Sequence, residues 1–135
     1  ALSLGAQDFL VSTDENAMAQ AQNRFDVIID TIPVEHDLNP YLPLLDVDGS
    51  LVLVGQIGNM PSFNTVPMIM GRRRIAASVI GGIEETQEML NFCAEHQILP
   101  ECEMINMDQI NEAYERMERS DVRYRFVIDM ASLKG

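Results

Sequence analysis

The chain has no tryptophan, two cysteines, and nine Lys and Arg against 21 Asp and Glu, a net charge of −12 over 135 residues. Each shortage excludes something. Phosphate backbones are held by clustered positive charge, so this balance argues against a nucleic-acid partner. Cys93 and Cys102 are too few for a disulfide framework in a domain of ordinary size, which makes a reducing cytoplasm the simpler location. No apolar run approaches the ~20 residues a membrane span needs. Ala1–Gly5 lacks the basic start and long apolar stretch of a secretion signal. There is no initiator Met, so Ala1 reads as a cut or processed end. The eight glycines never form G-x-G-x-x-G, the turn that sets a pyrophosphate on a helix start.

What is present suits a folded domain. Hydrophobic residues make up 47% and charged residues 22% of the chain, which is ordinary globular composition and excludes disorder. Phe9-Leu10-Val11, Val27-Ile28-Ile29 and Leu51-Val52-Leu53-Val54 are short apolar runs without alternation, as expected for strands buried on both faces of a parallel sheet. Between them, Glu15–Gln22 is built from good helix formers. Asp37–Leu45 places Leu38, Tyr41, Leu42 and Leu45 on a helical face; Pro40 suits its first turn, while Pro43 makes the segment short or irregular. Asp48-Gly49 supplies the turn into the Leu51 run. Strand, helix, strand, helix, strand is the order of an α/β fold.

Further on, Pro67–Gly71 reads as one helical turn and Ile75–Ile80 as a strand. Glu84–His96 and Gln109–Arg119 read as helices, the second with Asp108 as its N-cap. Glu103–Met107 and Tyr124–Met130 read as strands, and Asn59–Thr65 as a loop. A doubly wound nucleotide fold opens with a strand, a Gly-rich turn and a helix. Here Ala1–Ala6 looks instead like the last turn of a helix, with Gly5 as its C-cap. The first two strands and the Gly-rich turn are therefore expected to be absent. In the order 3-2-1-4-5-6, the Phe9–Val11 strand then has no neighbour and the Val27 strand has a bare edge.

Several blocks resemble one family. Gly81-Gly82-Ile83, Glu85–Leu90, Phe92–His96, Asp108–Met117 and Asp121–Asp129, with Gly5-Ala6, Phe25-Asp26 and Leu53-Val54-Gly55, are similar to the zinc-dependent medium-chain alcohol dehydrogenases. The branch is the cinnamyl-alcohol-dehydrogenase-like aldehyde reductases, and the likeness runs to about Met130. The resemblance implies a partial Rossmann-type doubly wound parallel sheet and an NADP or NAD cofactor, NADP being favoured by the branch. It implies hydride transfer between an alcohol and an aldehyde, with zinc polarising the substrate oxygen. The zinc-ligand segments belong to a domain this chain does not contain, so the fragment alone is expected to be inactive. Residues 1–122 then form the partial dinucleotide-binding domain, and 123–135 a strand returning to the catalytic domain.

Ligands of open α/β sheets bind at the carboxyl ends of strands, here Thr31-Ile32-Pro33, Val54-Gly55-Gln56 and Ser78-Val79-Ile80. The resemblance implies that backbone groups of Val54, Ser78 and Ile80 hold the nicotinamide carboxamide. It implies that Arg123 reaches the pyrophosphate, with Arg125 the alternative because neighbours on a strand face opposite ways. Gly55 lets a ligand approach backbone. The blander reading is of ordinary strand ends and a surface cation. The family's dimer pairs the Ile75–Val79 strand with its mate.

Other features read blandly. Arg72-Arg73-Arg74 is a solvated turn or dimer-surface patch. Cys93-x-x-His96 with Cys102 lacks the fourth ligand of a structural zinc site. His36 is a loop or helix-start histidine without a catalytic role, and no residue is assigned to catalysis. The competing function is a stand-alone α/β binding or dimerisation module.

Overall fold

A computed structural model describes residues 1–55 and 58–133, which divide into two compact units, Ala1–Ile80 and 81–135. The first holds three parallel strands in the order β1 (Phe25–Asp30), β2 (Leu45–Leu53), β3 (Arg74–Ala77). Helix α1 (Glu15–Gln20) precedes β1, and α2 (Val66–Gly71) connects β2 to β3. The start of α1 is fixed by Asp14, whose Oδ1 accepts from the N–H groups of Asn16 and Ala17, both at 3.0 Å. Such a cap satisfies donors that have no partner within the helix.

The core explains the one helix that does not form. Asp37–Leu45 was expected to be helical, but only Leu42–Leu44 makes a 3-10 turn, and Leu45 already begins β2. Pro40 and Pro43 lack the N–H donors a helical ladder needs there. The apolar residues still turn inward: Leu38, Leu42, Leu45 and Leu51 form the main buried cluster, with Ile28, Leu53 and Ile75 of the sheet packed against it. A second cluster joins Met18, Ala21 and Leu44 and takes in Leu10 and Phe25.

Phe9–Val11 is likewise not a strand. No neighbouring strand completes its hydrogen bonds, and backbone groups left without a ladder do not hold the extended form. Leu10 packs on the second cluster while Phe9 stays 64% exposed. The bare edge expected of the Val27 strand is present: among the described residues β1 is paired with β2 alone, and Val27 and Ile29 are exposed.

The Asp48-Gly49 turn lies inside β2 rather than before it. Phe25 pairs with Leu45 but Val27 with Ser50, so two steps on β1 match five on β2, and residues 46–49 bulge out. Asp48 adopts a left-handed φ of 64°. The three arginines clip this bulge in place. Arg72 forms a bidentate pair with the Asp48 carboxylate at 3.0 and 2.5 Å, and Arg74 donates to the Asp48 carbonyl at 3.3 Å. Arg73 donates to Asn23 Oδ1 at 2.6 Å, to the Pro67 carbonyl at 3.1 Å and to the Asp46 carbonyl at 3.4 Å. The basic run is thus an exposed turn at Arg72, as expected, whose arginines also fasten the bulge of the same unit.

The second unit is a β-α-β arrangement. Helix α3 (Ile83–Glu95) precedes it, and α4 (Ile110–Glu118) links β4 (Cys102–Asn106) to β5 (Arg125–Asp129), which pair in parallel. Glu85 caps α3 by accepting from the Gly82 N–H at 2.6 Å. Asp108, expected as the N-cap of the next helix, instead lies within a 3-10 turn, Met107–Gln109; Gln109 Oε1 reaches back to the Asn106 N–H at 2.8 Å. Ile105 and Ala113 are buried between β4 and α4. The last strand is expected from its sequence either to leave Tyr124, Phe126 and Ile128 partly exposed or to pair with another chain, and the first is what is seen. It pairs with β4 of its own chain, which half-buries Phe126 and Ile128 and leaves Tyr124 exposed. Among the described residues, no helix is long and apolar enough to cross a membrane.

Candidate functional site

Where β2 and β3 end lies a cleft of about 340 Å³, lined by Val54, Gly55, Gly58, Met60, Ser78 and Val79 among others. Three of the residues expected to bind cofactor, Val54, Gly55 and Ser78, are thus brought together. The Ser78 N–H donates to the Leu53 carbonyl at 3.0 Å, which ties the two exits side by side. Ile80 lies beyond the lining and is 86% exposed. Gln56, from the same expected strand end, falls outside the described residues.

Thr31 is not in this cleft. It lines a separate cavity of about 150 Å³ with Ile28, Asp30, Ile32, His36 and Leu51. Gly55, which lines the cleft, packs against the backbone of Thr31 and Ile32. A Cβ at Gly55 would collide with the Ile32 carbonyl oxygen and come within 2.7 Å of its carbon and 3.1 Å of the Thr31 carbon. Real Cβ atoms do not approach backbone so closely, so glycine is required first by the neighbouring strand exit.

Sequence reasoning passed over Asp30, the last residue of β1. It is 8% exposed, and its carbonyl accepts from both Val54 N–H (2.9 Å) and Gly55 N–H (3.2 Å). Its Oδ1 accepts from the Ile32 N–H at 3.0 Å, and its Oδ2 lies 2.8 Å from His36 Nε2. The His36 imidazole is held above its ordinary pKa of 6.5, first by the Val34 carbonyl and then by Asp30, against the opposing effect of burial. An acidic residue ending an apolar run, followed six positions later by histidine, was the available signal.

Arg123 belongs to the second unit, in the segment before β5. Its backbone N–H donates to Glu103 Oε1 at 3.0 Å, and Glu103 Oε2 accepts from Arg116 at 2.8 Å. These two donors hold the Glu103 carboxyl below its ordinary range, the Arg123 N–H contributing most. The Arg116 guanidinium also binds Asp121 at 3.1 Å and lies 4.8 Å from the centre of the Phe126 ring. Arg125, the alternative, is the first residue of β5 and is exposed. Among the described residues, no three His, Cys, Asp or Glu side chains gather where they could hold a metal ion. Cys93 donates to the Met89 sulfur at 3.6 Å, an apolar-face contact.

Three parallel strands in sequence order, with a ligand-sized cleft at their carboxyl ends, correspond to the 4-5-6 half of a doubly wound sheet. A family model described as zinc-binding dehydrogenase matches residues 1–95. The chain belongs to the zinc-binding dehydrogenase family. Among curated relatives of this family member, a probable cinnamyl alcohol dehydrogenase of Lolium perenne is 53% identical over 95% of the chain and 36% of its own length. A probable formaldehyde dehydrogenase of Bacillus subtilis (strain 168) is 50% identical over 98% of the chain and 38% of its own length. The solved cinnamyl alcohol dehydrogenase of Sorghum bicolor superposes with a TM-score of 0.87 at 41% identity, over 96% of the chain and 36% of that structure. The enzyme from Helicobacter pylori, solved with NADP(H), superposes at 0.70 with 39% identity, over 84% of the chain and 34% of that structure. The chain thus spans a little over a third of the length of these relatives, and its α/β fold is part of a Rossmann-type domain.

Proposed function

We propose that this chain is the cofactor-binding part of an oxidoreductase that moves a hydride between NADP(H) or NAD(H) and an alcohol/aldehyde pair, at a zinc site held outside these residues. The observation that carries the reading is the set of backbone groups at the cleft. The N–H groups of Val54 and Ser78 are already used, on Asp30 and Leu53. On this reading the exits would offer a ligand the carbonyls of Val54 and Ser78, whose residues line the cleft, and the N–H of Ile80, whose residue lies beyond the lining. A primary carboxamide carries two N–H donors and one carbonyl acceptor, so two acceptors and one donor complement the nicotinamide side group.

The bound nicotinamide supplies the carbon that accepts or releases hydride. The chain's own part is positional. Gly55 seats the β2 exit against Thr31-Ile32, and Met60 and Val79 present apolar surface that excludes water from the ring. Arg123 supplies a planar cation suited to pyrophosphate oxygens, and residues 123–135 lead back toward the catalytic domain. The free thiols Cys93 and Cys102 suit a reducing cytoplasm. The branch favours NADP over NAD.

The reading extends to assembly: among the described residues β3 is paired with β2 on one side only, and its outer edge would pair with a second copy through Ile75–Val79. The test of function is NADPH oxidation by the whole gene product, loaded with zinc and supplied with an aromatic aldehyde such as cinnamaldehyde. Turnover supports the oxidoreductase; a zinc-loaded, folded protein that binds NADPH yet reduces no aldehyde favours the stand-alone binding module.

A further inference from the structure

The loop 31–36 closes on itself through one buried contact. His36 has both ring nitrogens engaged: Nδ1 lies 2.8 Å from the Val34 carbonyl oxygen and Nε2 lies 2.8 Å from Asp30 Oδ2. A carbonyl only accepts, so Nδ1 must carry a proton. An ionised carboxylate also only accepts, so Nε2 must carry one too. A neutral imidazole has a single N–H, so the arrangement needs one proton more than neutral histidine holds.

The surroundings keep that proton in place. The side chains of the pair are 15% and 6% exposed; burial works against the charge, and the Val34 and Asp30 contacts outweigh it. The charged groups facing His36 are Asp30, from the end of β1, and Asp37, from the chain beyond the loop, and both are acidic. The Tyr41 ring meets the imidazole edge-on, with centroids 6.4 Å apart.

We propose that His36, carried as an imidazolium, is a positioning residue for the nicotinamide cleft: it grips Asp30 and so fixes the exit of β1 against which the exit of β2 is seated. His36 does not touch the cleft. It acts through Asp30, whose carboxylate also fastens Ile32 and whose carbonyl holds both Val54 and Gly55. Thr31 and Ile32 are the backbone that Gly55 packs against without a side chain. When the imidazolium loses its proton, the Asp30–His36 contact loses a donor. The loop then loosens, and the Val54 carbonyl is no longer held in the place a carboxamide needs. The role of the cleft rests on the proposed function; the clamp itself does not.

The test is nuclear magnetic resonance of the ¹⁵N-labelled chain across pH, with His96→Gln used to assign the two histidines. The His36 ring is expected to be doubly protonated at neutral pH. Its midpoint is expected clearly above the ~6.5 of an unperturbed histidine, and the amides of Ile32, Val54 and Gly55 are expected to shift with that midpoint. Asp30→Asn, which keeps the size of the side chain, should lower the midpoint. His36→Gln, which keeps one donor for Asp30, should stay folded, yet speed solvent exchange of the Val54 and Gly55 amides about tenfold and weaken NADP⁺ binding several-fold. A midpoint at or below 6.5, or Val54 and Gly55 amides indifferent to it, overturns the clamp even where NADP⁺ binds normally. A working clamp in a chain to which NADP⁺ does not bind overturns the cofactor reading, and the positioning role with it.

Discussion

Gly55 and Ile32 are packed backbone to backbone: a methyl group on the glycine would stand 2.7 Å from the Ile32 carbonyl carbon. Neither side can yield cheaply, because the Gly55 and Val54 N–H groups are both bonded to the Asp30 carbonyl. Gly55→Ala is therefore expected to destabilise the first unit by about 1–3 kcal/mol, the usual cost of overpacking. Urea unfolding followed by circular dichroism measures this, and an unchanged midpoint would mean that the two exits separate freely.

The main leucine cluster should be the most sensitive part of the first unit. Leu42, Leu45 and Leu51 are almost wholly enclosed, whereas Val54 is 38% exposed. Leu51→Ala should cost about 2–5 kcal/mol, the range for a buried leucine truncated to alanine. Val54→Ala should change stability far less, although it lies only three residues further along. Equal losses in urea unfolding would place the core elsewhere.

This contrast also shows what could be read from the sequence and what could not. The parallel strands at Val27–Ile29, Leu51–Leu53 and Ile75–Ala77 were legible because uninterrupted β-branched and aliphatic runs have few other uses. The grouping of Val54, Gly55 and Ser78 at one cleft followed from the rule that ligands meet strands at their carboxyl ends. Asp37–Leu45 misled because apolar spacing reports which side chains turn inward, and leucines in a proline-broken 3-10 turn satisfy it as well as a helix does. Phe9–Val11 was expected to lack a neighbour and was still read as a strand, because its apolar run carries strand propensity; without the partner the propensity alone does not form one. The Asp30–His36 contact spans six residues with no periodic pattern, so an acidic residue ending an apolar run and a histidine six positions on were its only trace in the sequence.

Glu103 gives a prediction on the acid side. Its folded pKa is lowered below the ordinary 4.5 by the Arg123 N–H and the Arg116 guanidinium. The ionised group therefore adds stability that is fully present above the ordinary value and is lost as pH falls through the lowered one. Glu103→Gln should reduce stability near neutral pH and flatten the acid limb of a Tm-against-pH curve. A variant curve parallel to wild type down to the acid transition would contradict the assignment.

Assembly is tested at Ala77. The Ser78 N–H points to Leu53 on β2, and successive residues of a strand face opposite edges, so the Ala77 N–H points away from β2. Ala77→Pro removes a donor from the outer edge while sparing the ladder within the chain. Analytical ultracentrifugation should show dimers for wild type and monomers for the variant. Persistent dimers would place the interface away from β3.

The cleft itself is tested most directly by titrating the ¹⁵N-labelled chain with NADP⁺ and following every backbone amide. The account predicts saturable shifts concentrated at Val54, Gly55, Ser78, Val79 and Ile80, with Arg123 responding to NADP⁺ but not to nicotinamide mononucleotide. Amides that stay unmoved at these positions in a folded chain, or shifts centred on other residues, would contradict it.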